Sequence, residues 1–316
     1  MLTAVPLLGE GLALACAFVW SVAVILFKKS LDAAPEASFA SINLFKNTVG
    51  IALLGLTLLV LGRSIDWSRS ALDWAALAVS AWLGLALADS LLFASLDRIG
   101  PGLLGVAELV AAPMQITLAA LFLGESVGPS LFAGAGAVLL GLFVASHDPG
   151  ALSASAITRY GPDQSRTRRQ GIWLAVAAMG VMSIGVLLAK RPLEQGDLVE
   201  VTFVRLVLGN LGLYVWLRAR ARTPEQRRAI FLPFHHPKLR RVLFPAAAVG
   251  TYFSMLLWLG GFKYGDMAVV SVLNQMSTVF TIGLAWAILG ERLTRRRAVG
   301  SAIALAGAVL IVWVRG

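Results

Sequence analysis

Four ionisable side chains interrupt long apolar stretches of this sequence: Lys46, Asp89, Glu108 and Arg205. If those stretches cross a membrane, charges inside them are costly, and such charges usually mark a path for substrates, ions or protons. Carboxylates in such a place bind cations or carry protons, and the two bases bind anions. A structural alternative is a buried ion pair that joins Lys46 to Glu108 or to Asp89.

The composition predicts an integral membrane protein. Hydrophobic residues make up 58% of the chain and charged residues 14%, with a mean hydropathy of +0.79. A soluble domain carries about 25% charged residues, which this chain lacks. The net charge of +10 would suit nucleic acid. Because Lys and Arg gather between apolar segments, however, the charge reports membrane topology, and we predict no nucleic-acid partner.

Ten segments have the length and apolar character of membrane-spanning helices, which need about 20 residues each. Backbone N–H and C=O groups in hydrocarbon must pair within their own segment, so these segments are predicted to be helical. Numbered as spans 1 to 10 in chain order, they lie at roughly 9–28, 38–61, 74–96, 102–123, 130–146, 171–190, 200–217, 243–262, 267–289 and 297–314.

The chain repeats itself. Leu-Gly-Glu at 123–125 recurs at 289–291, an offset of 166 residues that also pairs Glu108 with Asn274. Smaller offsets pair Lys46 with Arg205. The sequence therefore predicts two five-span halves, 1–147 and 171–316, joined by a polar linker at 148–170. Since five is odd, the second half is inverted relative to the first, which is typical of secondary transporters with a central cavity between the halves.

The depths of the charged residues agree with such a cavity. At 1.5 Å of rise per residue, Lys46, Asp89 and Glu108 lie about 9–12 Å from one face of the membrane. Arg205 and Asn274 have matching depths from the opposite face. We predict that these five residues bind substrate or couple protons. Glu108 is the strongest candidate, because its counterpart Asn274 is uncharged.

Neighbouring polar and aromatic residues extend the predicted site. Aromatic rings that could line a cavity, or equally face lipid, are those of Trp20, Trp82, Tyr252 and Trp258. Amides and hydroxyls that could bind a ligand, or equally bond between helices, are those of Asn43, Asn47, Gln115, Asn210, Gln275 and Ser277. Glycines predicted to allow close helix packing are Gly134, Gly136, Gly141, Gly300 and Gly307.

Five spans per half, the Leu-Gly-Glu after each fourth span and the glycine-rich fifth span resemble the drug/metabolite transporter superfamily, EamA type. The resemblance implies a secondary carrier, often an exporter of amino acids or other small metabolites, with ten helices around a central cavity. One position departs from it. Trp20-Ser21 resembles the family's first-span Trp, whereas Met182-Ser183 takes that place in the second half.

The distribution of Lys and Arg predicts the orientation. Most of those outside the spans lie on the side of the central linker, which the positive-inside rule places in the cytoplasm of a cell with the chain in its plasma membrane. Both termini would then lie outside, whereas the family resemblance implies termini inside. The basic segment 218–241 also holds Thr223-Pro224-Glu225-Gln226, a helix-start signature that predicts a short helix at the membrane interface.

The leading hypothesis is a secondary-active exporter of a small organic metabolite such as an amino acid, working by alternating access. The alternatives are efflux of lipophilic cationic drugs, a receptor that does not transport, and an intramembrane enzyme. No His-Glu-x-x-His, Walker or cofactor motif occurs, and Cys16 is the only cysteine. We therefore predict no catalysis, metal or cofactor; the expected partners are a small-molecule substrate and membrane lipid, and the chain can act as a monomer.

Overall fold

The computed structural model describes residues 7–34, 36–126, 128–145, 164–289 and 294–315. Throughout those ranges the regular secondary structure is helical. Seven helices there are long and apolar enough to cross a membrane, and three shorter apolar helices accompany them at Ala111–Leu123, Pro129–Gly141 and Ala298–Ile311. These ten helices coincide with the ten predicted spans, so the all-α membrane fold is confirmed.

The helices follow the chain in two sets. The first half contains α1 (Leu8–Ala33), α2 (Phe39–Val60), α3 (Ala71–Ala81), α4 (Asp89–Glu108), α5 (Ala111–Leu118) and α6 (Pro129–Ala145). The second half contains α7 (Gln164–Gln195), α8 (Leu198–Arg220), α9 (Pro224–Ile230), α10 (Leu232–His235), α11 (Pro237–Ala247), α12 (Ser254–Tyr264), α13 (Met267–Asn274), α14 (Ser277–Leu289) and α15 (Arg295–Arg315).

The two halves contact each other through equivalent pairs of spans. Span 1 (α1) packs on α12, α13 and α14, which form spans 8 and 9. Its counterpart, span 6 (α7), packs on α3, α4 and α5, which form spans 3 and 4. Span 2 meets span 7, and span 5 meets span 10. These contacts between equivalent spans are the ones that a pseudo-two-fold inverted repeat requires.

Glycines let spans 5 and 10 approach closely, as predicted. A β-carbon on Gly141 would lie 2.4 Å from the backbone nitrogen of Ala304, and one on Gly134 would lie 2.4 Å from a side-chain carbon of Ile311. Small residues at such crossings allow backbone-level contact between membrane helices. The prediction was wrong for Gly136, where a β-carbon would meet nothing within 4 Å.

Spans 3 and 8 each widen into a π-helical turn at the same place in the repeat. The turns cover Trp82–Ala88 and Ala248–Phe253, which the 166-residue offset superposes. A π-turn leaves helix carbonyls short of their usual donors, and such turns are common at functional sites. In the first half, the side-chain amide of Asn43 donates to the carbonyl oxygens of Leu85 at 2.8 Å and Ala86 at 3.3 Å. Span 2 therefore stabilises the π-turn of span 3.

The basic segment after span 7 is helical, as its sequence predicts. The Thr223 hydroxyl accepts from the backbone N–H of Gln226, and the Gln226 side chain reciprocates at the Thr223 backbone, which forms a capping box at the start of α9. The segment docks through Phe234, whose ring lies 4.9 Å from that of Phe45 on span 2.

Candidate functional site

A cavity of about 120 Å³ lies between the two halves. One water molecule needs about 10–15 Å³ of such space, so the cavity has room for a small organic molecule or several waters. Its polar lining comes from Cys16, Lys46, Asp89, Glu108, Gln115, Arg205, Ser254, Ser271, Asn274, Gln275 and Ser277. The apolar lining includes Trp20, Met179, Met182, Met255 and Trp258.

Lys46 and Asp89 form an ion pair in this lining. The ammonium of Lys46 lies 2.7 Å from Asp89 Oδ2 and donates to Asn47 Oδ1 at 3.0 Å. The two charged side chains are only 4% and 8% exposed. Of the two pairings considered from the sequence, Lys46 thus takes the one with Asp89 and not the one with Glu108. Because a buried charge must be paired, this bridge is first of all a structural requirement.

Glu108 and Asn274 occupy matching breaks in spans 4 and 9. Glu108 is the last residue of α4, and α5 resumes at Ala111 after a two-residue turn. Asn274 ends α13 in the same way, and α14 resumes at Ser277. Broken helices at the middle of a membrane are where secondary transporters commonly bind substrate.

Neither residue at these breaks has a polar partner in the described part of the chain. The half-buried Glu108 carboxylate makes no hydrogen bond or ion pair there. Both polar side-chain atoms of Asn274 are buried and unpaired within the same ranges, as is Oε1 of Gln115, which also lines the cavity. Buried polar groups are nearly always satisfied in proteins, so unsatisfied ones that line a cavity indicate a missing ligand or water.

Arg205 contributes the second base of the cavity. Its side chain is 1% exposed, and its Nε and Nη1 atoms have no hydrogen-bond partner among the residues described. The third nitrogen, Nη2, faces Gly84 in the π-turn of span 3, where a β-carbon would lie 3.6 Å away. A β-carbon there would make ordinary contact with the guanidinium, whose planar fork suits a carboxylate.

The predicted aromatic residues separate into two groups. Trp20 and Trp258 line the cavity. Tyr252 does not: its hydroxyl lies 2.7 Å from the Thr57 hydroxyl, and its ring packs against Phe253 at 4.9 Å. Trp82 is 42% exposed and is likewise absent from the lining among the described residues. Tyr252 therefore packs against other side chains, and Trp82 is exposed on the outer surface. A position outside the cavity is the alternative that the sequence left open for both residues.

Several lining residues were missed by the sequence analysis. The Cys16 thiol lies 3.5 Å from the Ser254 hydroxyl, and this contact joins spans 1 and 8 across the cavity. The helix periodicity could have predicted these two residues. Cys16 precedes Trp20 by four residues and Ser254 precedes Trp258 by four, so each shares a helix face with a Trp that was predicted to line the cavity.

The polar residues at the helix interfaces behave differently. Asn43 binds the π-turn, as described above, and Asn210 donates to the Thr48 hydroxyl at 3.1 Å. Asn47 accepts from Lys46. Asn43 and Asn210 thus hold spans together and Asn47 supports Lys46 within span 2, whereas Gln115, Gln275 and Ser277 reach the cavity.

Ion pairs tie the halves together on the face opposite the basic loops. Arg69 lies in the loop after span 2 and donates to the Glu200 carboxylate of span 7, with 2.6 Å between Nη1 and Oε1. Both side chains of this pair are buried, and the hydrogen bond to Glu200 raises the pKa of Arg69. Arg63 pairs with Asp197 beside it.

Glu125 adds a further tie on that face. Its carboxylate accepts from the backbone N–H groups of Met267 at 2.8 Å and Ala268 at 2.9 Å, at the start of α13. A carboxylate at a helix N-terminus satisfies free donors and the positive end of the helix dipole. The Glu of the repeated Leu-Gly-Glu therefore caps a span of the other half. Its counterpart Glu291 lies outside the described residues.

Comparisons with known proteins give the family and the fold. The model of the EamA-like transporter family matches residues 7–147 and 169–313. An uncharacterized membrane protein of Saccharomyces cerevisiae is 30% identical over 115 residues, which cover 36% of this chain and 26% of that protein. The chain thus spans about a quarter of the length of the curated relative that it matches. A crystal structure with 17% identity covers 95% of this chain and 97% of its own, with a TM-score of 0.66, and supports the same fold.

Proposed function

Because the chain belongs to the EamA-like transporter family, we propose that it is a secondary carrier for a small zwitterionic metabolite such as an amino acid. The observation that carries this proposal is a pair of cavity residues of opposite charge, Glu108 and Arg205, neither of which makes a hydrogen bond or an ion-pair contact with the described residues. Asp89 already neutralises Lys46 at 2.7 Å. One acid and one base thus remain to meet a ligand.

A zwitterion satisfies both residues at once. Its carboxylate suits the guanidinium fork of Arg205, and its ammonium suits the carboxylate of Glu108. The amide of Asn274 offers one more donor and one more acceptor, both of them unpaired in the described structure. Trp20, Trp258 and the methionines supply an apolar surface for the rest of the molecule. Methionine is flexible enough to fit side chains of several shapes.

Alternating access follows from the inverted repeat. In this proposal, the ties between halves at Arg69–Glu200 and at Glu125 keep one face of the protein closed. For the cavity to open there, these contacts must break while equivalent contacts form on the basic face, as rocking between inverted repeats requires. The direction we propose is export, which the family resemblance implies, from a cytoplasm that faces the basic loops. We assign no catalytic role to the chain.

Efflux of lipophilic cations is the competing function. Such a substrate would use the Glu108 carboxylate and the tryptophan and methionine surface, but it would leave Arg205 buried beside a second positive charge. Unpaired buried charges of one sign repel, so the free base argues against a purely cationic substrate.

Thermal unfolding of the purified protein tests the proposal, since a ligand that binds the native state raises Tm. Three probes are compared: a neutral amino acid, the amine that lacks its carboxylate, and the carboxylic acid that lacks its ammonium. Several amino acids of different side-chain size form the first set. We expect the zwitterions to raise Tm at concentrations at which both truncated analogues do not.

Transport in proteoliposomes completes the test. Counterflow of the amino acid with the largest Tm shift is expected in wild type and in Glu225→Gln, a matched loss of an exposed acid far from the cavity. Glu108→Gln is expected to lower it strongly. Stabilisation by lipophilic cations that depends on Glu108 and is indifferent to Arg205 would instead overturn the zwitterion proposal in favour of drug efflux.

A further inference from the structure

A strongly basic surface covers the segment between spans 7 and 8. Eight basic side chains lie between residues 218 and 241, against the single acid Glu225. All eight are exposed: Arg218, Arg220, Arg222, Arg227, Arg228, Lys238, Arg240 and Arg241. We call these eight residues the basic arc. None of them forms an ion pair with any residue that the structure describes.

The basic arc is held rigidly against the protein body. Ile230 is buried, and the rings of Phe231 and Phe234 lie 5.9 Å apart beneath the arc. Phe234 in turn contacts Phe45 of span 2. The capping box at Thr223 fixes the start of α9 and thus its direction after span 7. These contacts make the arc a preformed array of charges and not a loose tail.

Two features place the arc at the level of lipid headgroups. The guanidinium of Arg220 lies 4.7 Å from the ring of Trp216, one helix turn deeper in span 7. Tryptophans gather at the boundary between hydrocarbon and headgroups, and basic residues beside them reach outward to the phosphates. On the other side of the arc, Phe244 of α11 is 50% exposed and continues the same apolar boundary into span 8.

We propose that the basic arc is a binding site for anionic phospholipid headgroups, in the leaflet that this face of the protein meets. Clusters of four to eight basic residues next to a spanning helix attract anionic lipids, and the charge of this cluster is left uncompensated by the protein itself. Guanidinium groups bind phosphodiester oxygens in pairs, and seven of the eight side chains of the basic arc are arginines. This inference stands apart from the identity of the transported substrate.

The polypeptide chain leads directly from the basic arc to the cavity. From Lys238, α11 leads into the π-turn Ala248–Phe253 and then into α12, which bring Gly250, Ser254 and Trp258 to the lining. Anchoring the arc would therefore limit how span 8 moves. Anionic lipid is expected to stabilise the protein whether or not a substrate is bound.

The test measures thermal unfolding of the purified protein with added phosphatidylglycerol or phosphatidylcholine in mixed micelles. The triple variant Arg227→Gln, Arg228→Gln, Arg240→Gln removes three charges from the arc. Its matched control, Arg166→Gln, Arg168→Gln, Arg169→Gln, removes three charges at the start of α7, on the same face. We expect phosphatidylglycerol to raise Tm in wild type and in the control, and the arc variant to lose at least half of that rise.

Other outcomes would overturn the proposal. An equal loss in both triple variants would mean that only net charge matters, and an equal rise with phosphatidylcholine would mean that any lipid serves. A rise produced by inorganic phosphate alone would assign the arc to a soluble anion. If the arc variant does not fold, the Tm of the wild type with phosphatidylglycerol, compared with phosphatidylcholine and with inorganic phosphate, still tests the proposal. Salt at 1 M, with a Debye length of about 3 Å, must abolish most of the rise that phosphatidylglycerol causes.

Discussion

The ammonium of Lys46 lies 2.7 Å from the carboxylate of Asp89, in the wall of a cavity that also contains Glu108 and Arg205. This pairing divides the four membrane-embedded charges into two kinds. Lys46 and Asp89 form an ion pair, whereas Glu108 and Arg205 make no hydrogen bond or ion-pair contact with the described residues. The first two are expected to govern stability and the last two to govern binding.

The ion pair predicts a large coupling between two substitutions. Lys46→Met alone leaves the Asp89 carboxylate buried and uncompensated, which costs about 3–5 kcal/mol of the free energy of unfolding. The double variant Lys46→Met, Asp89→Leu is expected to regain most of that loss. Chemical unfolding in detergent measures all three proteins. Additive losses in the double variant would contradict a structural pair.

Glu108→Gln is expected to lower transport and leave the fold intact. The amide keeps the shape of the carboxylate but loses a charged hydrogen bond, worth about 1.5–3 kcal/mol, or roughly a tenfold to hundredfold loss of affinity. Counterflow in proteoliposomes gives the rate, with Glu225→Gln as the control for loss of one acid. Unchanged transport at normal expression would remove Glu108 from the site.

Arg205→Met is expected to separate stability from function. The substitution removes a buried charge whose Nε and Nη1 atoms lack partners, so Tm should stay the same or rise. The Tm shift caused by an amino acid should disappear. Arg205→Lys keeps the charge but not the guanidinium fork, and intermediate affinity is expected. A clear fall in Tm for Arg205→Met would identify Arg205 as a structural residue.

Asn43→Leu tests the support of the π-turn in span 3. The substitution removes the donor for the carbonyl oxygen of Leu85, whereas that of Ala86 still accepts from the Ser90 hydroxyl at 2.6 Å, and one unsatisfied buried acceptor costs about 1–3 kcal/mol. Unfolding free energy should fall by that amount. Asn210→Leu, which breaks a hydrogen bond to the Thr48 side chain instead, is the matched control with a smaller expected loss.

Glu125→Gln is expected to ease opening of the face on which Glu125 joins the two halves. The uncharged amide weakens the cap on Met267 and Ala268, worth about 0.3–1 kcal/mol or up to about 2 in buried geometry. Cys16 reports the effect, because it is the only cysteine and lines the cavity. Labelling of Cys16 by a membrane-impermeant thiol reagent, added on that face, should become several-fold faster than in wild type. Equal rates would show that Glu125 does not hold this face closed.

Much of the fold could be predicted because its cause is local. A run such as 38–61 has no water to satisfy its backbone, so it becomes a helix wherever it sits. The parity of five spans then dictates the inversion, and the offset of 166 residues pairs Glu108 with Asn274. The breaks after these two residues were not predictable from the same pattern. Hydropathy does not mark them, since Leu109 and Val110 are as apolar as their neighbours. Pro113, which has no N–H for the Leu109 carbonyl, is a signal for the first break, but no proline stands at the equivalent position after Asn274.

The site was predictable by residue type but not by contact. Depth along the helices predicted that Lys46, Asp89 and Glu108 lie at one level, but it did not predict with which acid Lys46 forms its ion pair. Tyr252 shows the same limit: its depth suits the cavity, but its direction on the helix takes its hydroxyl to Thr57. The π-turn at Ala248–Phe253 changes that direction, because it shifts the helix periodicity by which faces are assigned.

The sequence by itself thus determined ten helices, their inversion and which charges enter the membrane, since hydropathy and backbone pairing act within each segment. Only the tertiary structure decided that Asp89 takes Lys46, that Glu108 and Arg205 remain unpaired, and that Glu125 caps α13 of the other half. Those outcomes depend on distances between spans far apart in the chain. Hydrogen bonds and ion pairs form only within a few ångströms, and only packing brings side chains that close.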